Sequence, residues 1–412
     1  MLLSSGEAPF FEPELQPLLR RGAASGRLRF ATSIEQAADF GQVHFVCVGT
    51  PQMGDSLAAD TSGVEAVIRA LGLYARTPCL IVGKSTVPVG TASRLAAELA
   101  AISPAGEDAG LAWNPEFLRE GLAVQDTLRP DRLVFGVSSR GALEVLKDVY
   151  APLIDAGTPY ISTDLATAEL AKVSANAFLA TKISFINGIA DVCDAVGADV
   201  VTLAQALGYD SRIGDRGLAA GLGFGGGCLP KDLRALLARA QELGVGESLA
   251  FLQHIDAING GRRERAVRAA EELVGGPLAG RDVAVLGAAF KPHTDDVRES
   301  PALAVAAAMR QQGARVRVHD PEAIANARAA FPDLDYAADV WDACTDADVV
   351  LHLTEWPEYR EIDPAVLCTV VRQPRLLDAR NALAHDKWEA AGWTVRGLGV
   401  HGPMSPGVSV FE

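Results

Sequence analysis

The sequence predicts an α/β protein made of two parallel-sheet units joined by a long helical segment. Three observations point there. Short apolar runs alternate with helical spacing over residues 28–163, the same alternation returns over 281–402, and residues 164–208 carry no strand signal. A chain of 412 residues has room for two or three domains. The boundaries read as 1–163, 164–272 and 273–412.

In the first segment the strands fall at Val43–Val48, Cys79–Gly83, Leu111–Trp113, Arg132–Val137 and Pro159–Ser162. Helices fill the gaps at Ser62–Ala75, Ala92–Ala101 and Gly141–Tyr150. In the middle segment Leu165, Ala168, Ala171, Ala175, Phe178, Leu179, Ile186 and Ile189 recur at helical spacing. A helix this long between two α/β units bridges domains and offers a face to a second subunit. Residues 232–272 are again helical in pattern. The last segment opens with a strand at Asp282–Gly287, and Ser300–Pro301 reads as an N-cap and first helical position. Gly313 ends that helix, and strands follow at Val316–His319, Val349–Leu353 and Leu376–Leu377.

Composition narrows the function. Apolar residues make up 49% and charged residues 22%, a globular balance. The formal net charge of −15 argues against nucleic-acid partners and anionic membranes. No apolar run is long enough for a membrane span, and the first residues lack a signal-peptide pattern. The six cysteines are scattered without a C-x-x-C pair, which predicts reduced thiols and a cytoplasmic location. The histidines and cysteines show no metal-ligand spacing, so no metal is expected.

The strongest motif is Leu222-Gly-Phe-Gly-Gly-Gly-Cys-Leu-Pro-Lys-Asp232. Its four glycines let the backbone approach a ligand and turn N–H groups towards it. Lys231 and Asp232 place a cation and a base near the Cys228 thiol, as an activated nucleophile requires. A glycine turn ending in a structural cysteine is the plainer reading, and the flanking Lys231 and Asp232 weigh against it. Gly221-x-Gly223-x-x-Gly226 also matches the dinucleotide fingerprint in letters, but Arg212–Ala220 does not read as the strand that must precede one.

Lys172 and Asn176 lie four apart on the long helix and share a face. Alone they read as a solvated polar stripe; beside the cysteine loop they become candidates to hold an oxyanion or a water. Asn114-Pro-Glu-Phe-Leu-Arg-Glu-Gly121 follows a strand, where α/β folds build sites, or is an acidic first helical turn. Val48-Gly-Thr-Pro51 and Lys84-Ser-Thr-Val-Pro88 are strand-end junctions, or simple turns. Lys291, Arg298 and Arg380 are cations near strand ends that could meet phosphates, or ordinary surface charges.

Taken in order, GFGGGCLPKD, NPEFLREG, STVPVG, AELAKVSANAF, DSRIG at 210–214 and FKPHTDDVRES resemble the nucleotide-sugar 6-dehydrogenase family over nearly the whole chain. The resemblance implies an N-terminal Rossmann-like NAD domain, a central helix that forms a dimer or higher homo-oligomer, and a C-terminal Rossmann-like domain for the nucleotide. It implies four-electron oxidation of a sugar C6 alcohol to a carboxylate through a thiohemiacetal and a thioester on Cys228, with hydrides passing to NAD. By motif position Lys172, Asn176 and Asp232 form the oxyanion, water-orienting and base group, with Glu116 and Thr86 assisting thioester hydrolysis. Substrate contacts carry over to Glu116, Phe117, Leu118, Arg119, Glu120, Lys172, Asn176, Ala219, Gly221, Gly223, Phe224, Gly225, Phe290, Lys291 and Arg380. Arg212 carries over as a residue reaching the neighbouring subunit's sugar. NAD contacts carry over to Thr50, Pro51, Ser85, Thr86, Val87, Glu120, Cys228, Lys231 and Arg298.

Within that family Lys231 speaks against the branch acting on N-acetylated sugars, and Thr354-Glu-Trp356 leans towards UDP-glucose over GDP-mannose. The family's opening βαβ unit, with its glycine-rich pyrophosphate turn, has no counterpart before Gly6-Glu-Ala-Pro. The expectation is an N-terminal unit lacking that first βαβ, with apolar sheet edges left unpaired and weakened NAD binding. A binding protein without dehydrogenase activity remains an alternative. So does a dehydrogenase of the 3-hydroxyacyl-CoA or 6-phosphogluconate type, which needs no cysteine.

Overall fold

The computed structural model describes residues 2–54 and 56–400; the part of the last segment beyond residue 400 lies outside them. The chain divides into two compact units, Met1–Ala177 with Lys231–Ala250, and Phe178–Pro230 with Phe251–Glu412.

The first unit holds a five-stranded sheet: β1 (Val43–Val46), β2 (Cys79–Gly83), β3 (Ala109–Trp113), β4 (Leu133–Gly136) and β5 (Tyr160–Thr163), in that spatial order. β1, β2 and β3 are parallel, as are β4 and β5. The one departure from the expected parallel sheet is β3–β4, which meet antiparallel at Trp113 and Gly136. The link between them carries only the short helix Ala123–Leu128, too little for the usual crossover over a sheet face. Helices α1 (Ser62–Tyr74) and α2 (Thr91–Ile102) pack their Val64, Ile68, Leu95 and Leu99 with Ile81, Leu111 and Trp113 in one buried cluster. Helix α3 (Arg140–Val149) buries Leu146 with Leu80, Val82 and Phe135 in a second cluster. β1 is an outer strand, paired only with β2 among the described residues, and Phe45 on it is half-exposed. Residues 28–31 form no strand.

The expected long helix is two. α4 (Leu165–Val196) runs 32 residues, Gly197 turns the chain with φ 72°, and α5 (Val200–Gly208) follows with the Asp199 side chain capping Thr202 N. The left-handed conformation at Gly197 is open to glycine without steric cost. The second helical stretch likewise divides into α6 (Leu229–Glu242) and α7 (Phe251–Val274), broken at Gly244 with φ 76°.

The second unit carries an all-parallel six-stranded sheet: β6 (Asp282–Leu286), β7 (Arg315–His319), β8 (Asp335–Tyr336), β9 (Val349–His352), β10 (Arg375–Asp378) and β11 (Thr394–Gly397). Its order is β11-β10-β9-β6-β7-β8. This is the doubly wound arrangement, which reverses direction between β6 and β9 and opens a crevice at their C-terminal ends. The central strands β6 and β9 are near-continuous apolar runs because both faces are covered, while β7, β8 and β11 carry polar residues. Helix α8 (Pro301–Gln311) begins as predicted, with Ser300 Oγ accepting from Leu303 N at 3.3 Å and Pro301 in the first turn. Among the described residues no helix is long and apolar enough to cross a membrane.

Candidate active site

In the first unit the sequence candidates Lys172 and Asn176 share one face of α4 with Glu169, which the spacing did not single out. Glu169, Lys172 and Asn176 follow at i, i+3 and i+7 and are only 2%, 4% and 7% exposed. The polar stripe is therefore the buried side, and Phe178 and Phe185, read from spacing as apolar-face residues or left unassigned, stand 66% and 52% exposed. Burying a lysine and an asparagine this deeply costs free energy unless each is paired, and each is. Lys172 Nζ lies 2.9 Å from Glu116 Oε1. Asn176 Nδ2 donates to Asp232 Oδ2 at 2.7 Å.

Asp232 is itself 1% exposed and takes Lys231 Nζ on its other oxygen. Lys231 Nζ also reaches Thr50 Oγ1 at 3.5 Å, and Thr50 Oγ1 donates to Thr86 O at 2.7 Å. Thus Thr50, Thr86, Lys231, Asp232 and Asn176 form one connected network, and Lys172 with Glu116 stands one helical turn away. Ser85 turns inward, donating to Val48 O at 2.6 Å, and buried Val87 packs in the core beside it. Pro51 is exposed at the end of β1.

The Asn114–Gly121 loop starts at the end of β3. Asn114 is pinned by its Nδ2 to Val134 O at 3.0 Å, by Tyr150 OH to its Oδ1 at 2.6 Å, and by Lys84 Nζ to the same oxygen at 3.0 Å. Burial pushes the Lys84 ammonium down from its ordinary range and the Tyr150 phenol up to about 12. Glu116 Oε2 accepts from Leu118 N at 2.7 Å, which turns the loop back and presents Oε1 to Lys172. Phe117 lies under Arg132, 3.7 Å from the ring centroid, with Lys172 at 5.6 Å. Leu118 is exposed, Arg119 is held by Asp126 at 2.8 Å, and Glu120 is half-buried.

In the second unit the glycine loop is held by its own chain. Gly221 N donates to Asn187 Oδ1 at 2.8 Å, and Phe224 exchanges hydrogen bonds with Asn259 at 2.8 and 3.0 Å. A Cβ on Gly221 would stand 2.6 Å from Ala379 O, and one on Gly226 (φ 84°) 2.7 Å from the Phe290 ring. At Gly227 the obstacle is the Arg298 guanidinium. The sequence assigned these glycines to close approach by a ligand. Here they admit Phe290, Arg298 and the turn after β10. No strand precedes the Gly221–Gly226 pattern, in line with its rejection as a dinucleotide turn. Cys228 is exposed and immediately precedes α6.

Arg380 follows β10 and gathers three loops, donating to Leu353 O at 2.7 Å, Gly223 O at 3.0 Å and Phe290 O at 3.3 Å, with Glu355 3.2 Å from its Nε. Lys291 lies over the Phe290 ring at 5.6 Å. Arg298 is bound to Asp296 at 2.6 Å and remains largely exposed. Arg212, paired with Asp210 at 2.6 Å, projects outward and is 87% exposed at its side chain. Ala219 is exposed as well.

Two further features escaped the sequence reading. Asp320, at the end of β7, accepts from Ala288 N at 2.7 Å, Ala289 N at 2.9 Å and Trp356 Nε1 at 3.0 Å. The turn after β6, where a doubly wound sheet would bind a pyrophosphate, is thereby filled by the protein's own carboxylate. Asp378, fully buried, accepts from His352 Nδ1 at 2.8 Å, His385 Nε2 at 3.1 Å and the amides of Ala382 and Leu383, both at 2.8 Å. Against the upward push of burial, the two histidines hold its carboxyl far below the usual range, and the turn bearing Arg380 is fixed.

At the ends of β1 and β2, where NAD would be held, Gly49 leaves open space where a Cβ would stand, and Thr50 Oγ1 donates to Thr86 O. Among the described residues of this unit no glycine-rich strand-to-helix turn offers a pyrophosphate cradle.

The two α/β units, with the NAD-binding domain that the first one matches, define the class as an NAD-dependent dehydrogenase. The chain belongs to the UDP-glucose/GDP-mannose dehydrogenase family: its NAD-binding domain matches residues 1–154, its central domain 166–260 and its UDP-binding domain 284–385. It is 41% identical to the UDP-glucose 6-dehydrogenase of Rhizobium meliloti (strain 1021), over 96% of this chain and 91% of that protein. It is 39% identical to UDP-glucose 6-dehydrogenase TuaD of Bacillus subtilis (strain 168), over 96% and 85%. Among solved structures, a UDP-glucose dehydrogenase from the archaeon Pyrobaculum islandicum matches with a TM-score of 0.88 at 38% identity, over 97% of this chain and 89% of that one. A UDP-D-ManNAc dehydrogenase from Pyrococcus horikoshii matches with a TM-score of 0.82 at 25% identity, over 96% and 90%.

Proposed function

We propose that this chain oxidises the C6 alcohol of UDP-glucose to the carboxylate of UDP-glucuronate, with Cys228 as covalent nucleophile. The observation that carries the reading is the buried stripe in which Lys172 grips Glu116 and Asn176 grips Asp232. It stands in a chain with the relatives just described. NAD, when bound, supplies the hydride acceptor for both oxidations, and Thr50, Pro51, Ser85–Val87, Glu120, Lys231 and Arg298 are the residues that would hold it.

Asp232 takes the C6 hydroxyl proton as the first hydride leaves, giving the aldehyde. The Cys228 sulfur bonds to the aldehyde carbon, and the resulting thiohemiacetal carries the hydrogen that the second oxidation removes. Its position ahead of α6 favours negative charge on the sulfur. Lys172 balances the negative oxygen in each step. Water, oriented by Asn176, Thr86 and Glu116, then adds to the thioester carbon, its protons passing by way of Glu116 to solvent; the C–S bond breaks, and thiolate and carboxylate are left. The uridine diphosphate is assigned to Phe290, Lys291, Arg380 and the Ala219–Gly225 loop, with Phe117, Leu118 and Arg119 near the sugar.

The outward face of α4 carries Phe178, Phe185 and Val192 seven residues apart, each more than half exposed. A stripe of this kind is expensive to leave in water, and a second copy of the chain is its occupant in our reading, with Arg212 reaching across. Cysteines scattered without a C-x-x-C pair suit a reducing compartment, and our reading is a cytoplasmic enzyme. The test is NADH formation with UDP-glucose against GDP-mannose and UDP-N-acetylmannosamine. Turnover of UDP-glucose alone supports the assignment; turnover of another sugar replaces it.

A further inference from the structure

Glu169 belongs to none of the roles above, yet it is nearly as buried as Asp232 and lies on the same helix face as Lys172 and Asn176. Its two carboxylate oxygens accept from two backbone amides at the start of α2, Gly90 N at 2.7 Å and Ala92 N at 2.6 Å. These are donors that the first turn of a helix leaves unsatisfied. The Gly90 cap position has no side chain of its own to do this, and its φ of 96° suits glycine. Glu169 is therefore a cap delivered from another helix.

What it caps is the end of the Ser85–Gly90 loop. Thr50 Oγ1 holds that loop at Thr86 O, and Arg239 of α6 holds it at Val89 O at 2.9 Å. Glu169 closes the third point. Burial pushes its carboxyl up to about 7, against the pull of the Ala92 and Gly90 amides and of Arg239. The ionised carboxylate, an acceptor at both oxygens, suits the two N–H donors best.

We propose that Glu169 is a positioning residue for the dehydrogenase reaction: it ties the loop carrying Thr86 to the helix face carrying Lys172 and Asn176, so that the NAD-facing loop and the catalytic helix keep one register. The proposal rests on the reading of Ser85–Val87 as NAD contacts. A purely structural cap would stabilise α2 and leave ligand affinity alone. A positioning cap acts on NAD and spares UDP-glucose.

The experiment uses the whole chain with Glu169→Gln, Glu169→Asp and Thr86→Ala. Amide hydrogen exchange is followed at residues 88–94, and Kd is measured for NAD and for UDP-glucose separately. Glu169→Gln should speed exchange at Gly90 and Ala92 and raise Kd for NAD by roughly two- to thirty-fold, the span that losing a helix cap covers, with Kd for UDP-glucose unchanged. Glu169→Asp, one methylene shorter but still charged, should fall between and guards against a misfolded Gln variant. Unchanged exchange overturns the clamp. Faster exchange with Kd for NAD unchanged, while Thr86→Ala raises it, reduces Glu169 to a structural cap and overturns the proposal. If Thr86→Ala also leaves Kd for NAD unchanged, the loop is not an NAD contact and the functional reading fails first.

Discussion

Lys172 and Glu116 meet as a buried cation and a half-buried carboxylate, Nζ to Oε1 at 2.9 Å, on elements that follow different paths to the contact. Lys172 is delivered by the first turns of a 32-residue helix, and Glu116 by a loop that Lys84, Tyr150 and Val134 pin at Asn114. Each is the other's ion-pair partner among the described residues, so each helps set the other's position.

Removing the carboxylate should hurt more than removing the amine. Glu116→Gln leaves a buried ammonium without its counter-charge and should cost about 3 kcal/mol of stability. Lys172→Met should cost less in denaturant unfolding but lower kcat by roughly 100-fold or more, because charge on the reacting oxygen is no longer balanced. Equal stability losses in the two variants would contradict this.

Asp232→Asn should remove the base while keeping the shape of the site. Asn176 and Lys231 both donate to Asp232, so an amide in its place must turn an NH2 towards one of them. A fall in kcat of about 100-fold, with Kd for UDP-glucose unchanged, is the expected outcome. A variant that keeps the parent's kcat would assign the base elsewhere.

Gly226→Ala tests the packing of the glycine loop. The new methyl stands 2.7 Å from the Phe290 ring at a φ of 84°, so a loss of roughly 1–3 kcal/mol is expected from crowding and backbone strain together. Pairing it with Phe290→Ala should recover the crowding part and leave the strain. Unfolding of the four proteins of the cycle separates the two.

Asp282 gives a pH dependence of known sign. The hydrogen bond from Arg315, opposed by burial and joined by Arg372, lowers its carboxyl to about 2. The folded state thus keeps Asp282 ionised below the pH at which the unfolded chain takes up a proton. Its contribution is full above about pH 4 and is lost as pH falls towards about 2. Because both arginines are largely exposed, Asp282→Asn should cost only about 1 kcal/mol at pH 7, and the difference from the parent should vanish near pH 2.

Much of the architecture is legible from apolar runs. Cys79–Gly83 is a strand with the bounds the sequence gives, and Ser300–Pro301 starts a helix as its chemistry requires. β8 and β11 escape because Asp335–Tyr336 and Thr394–Gly397 are short and half-exposed, without an apolar run. The antiparallel meeting of Trp113 and Gly136 is a tertiary choice that spacing does not encode.

The site divides the same way. Lys172 and Asn176 are visible as a pair four apart, but spacing alone makes them a solvated stripe. Only the partners Glu116 and Asp232, distant in sequence, show that the stripe faces inward. Extending that spacing one turn back would have reached Glu169. The glycines before Cys228 were legible as a need for room, while the claimants of that room, Phe290 and Arg298, lie more than sixty residues on.

The most direct test of the covalent account is the count of NADH formed per UDP-glucose consumed, in the parent chain and in Cys228→Ala. The account predicts about two for the parent, since a thiohemiacetal must surrender a second hydride, and at most about one for the variant, which can reach only the aldehyde. A Cys228→Ala protein that still forms about two NADH per sugar at the parent's rate would contradict it.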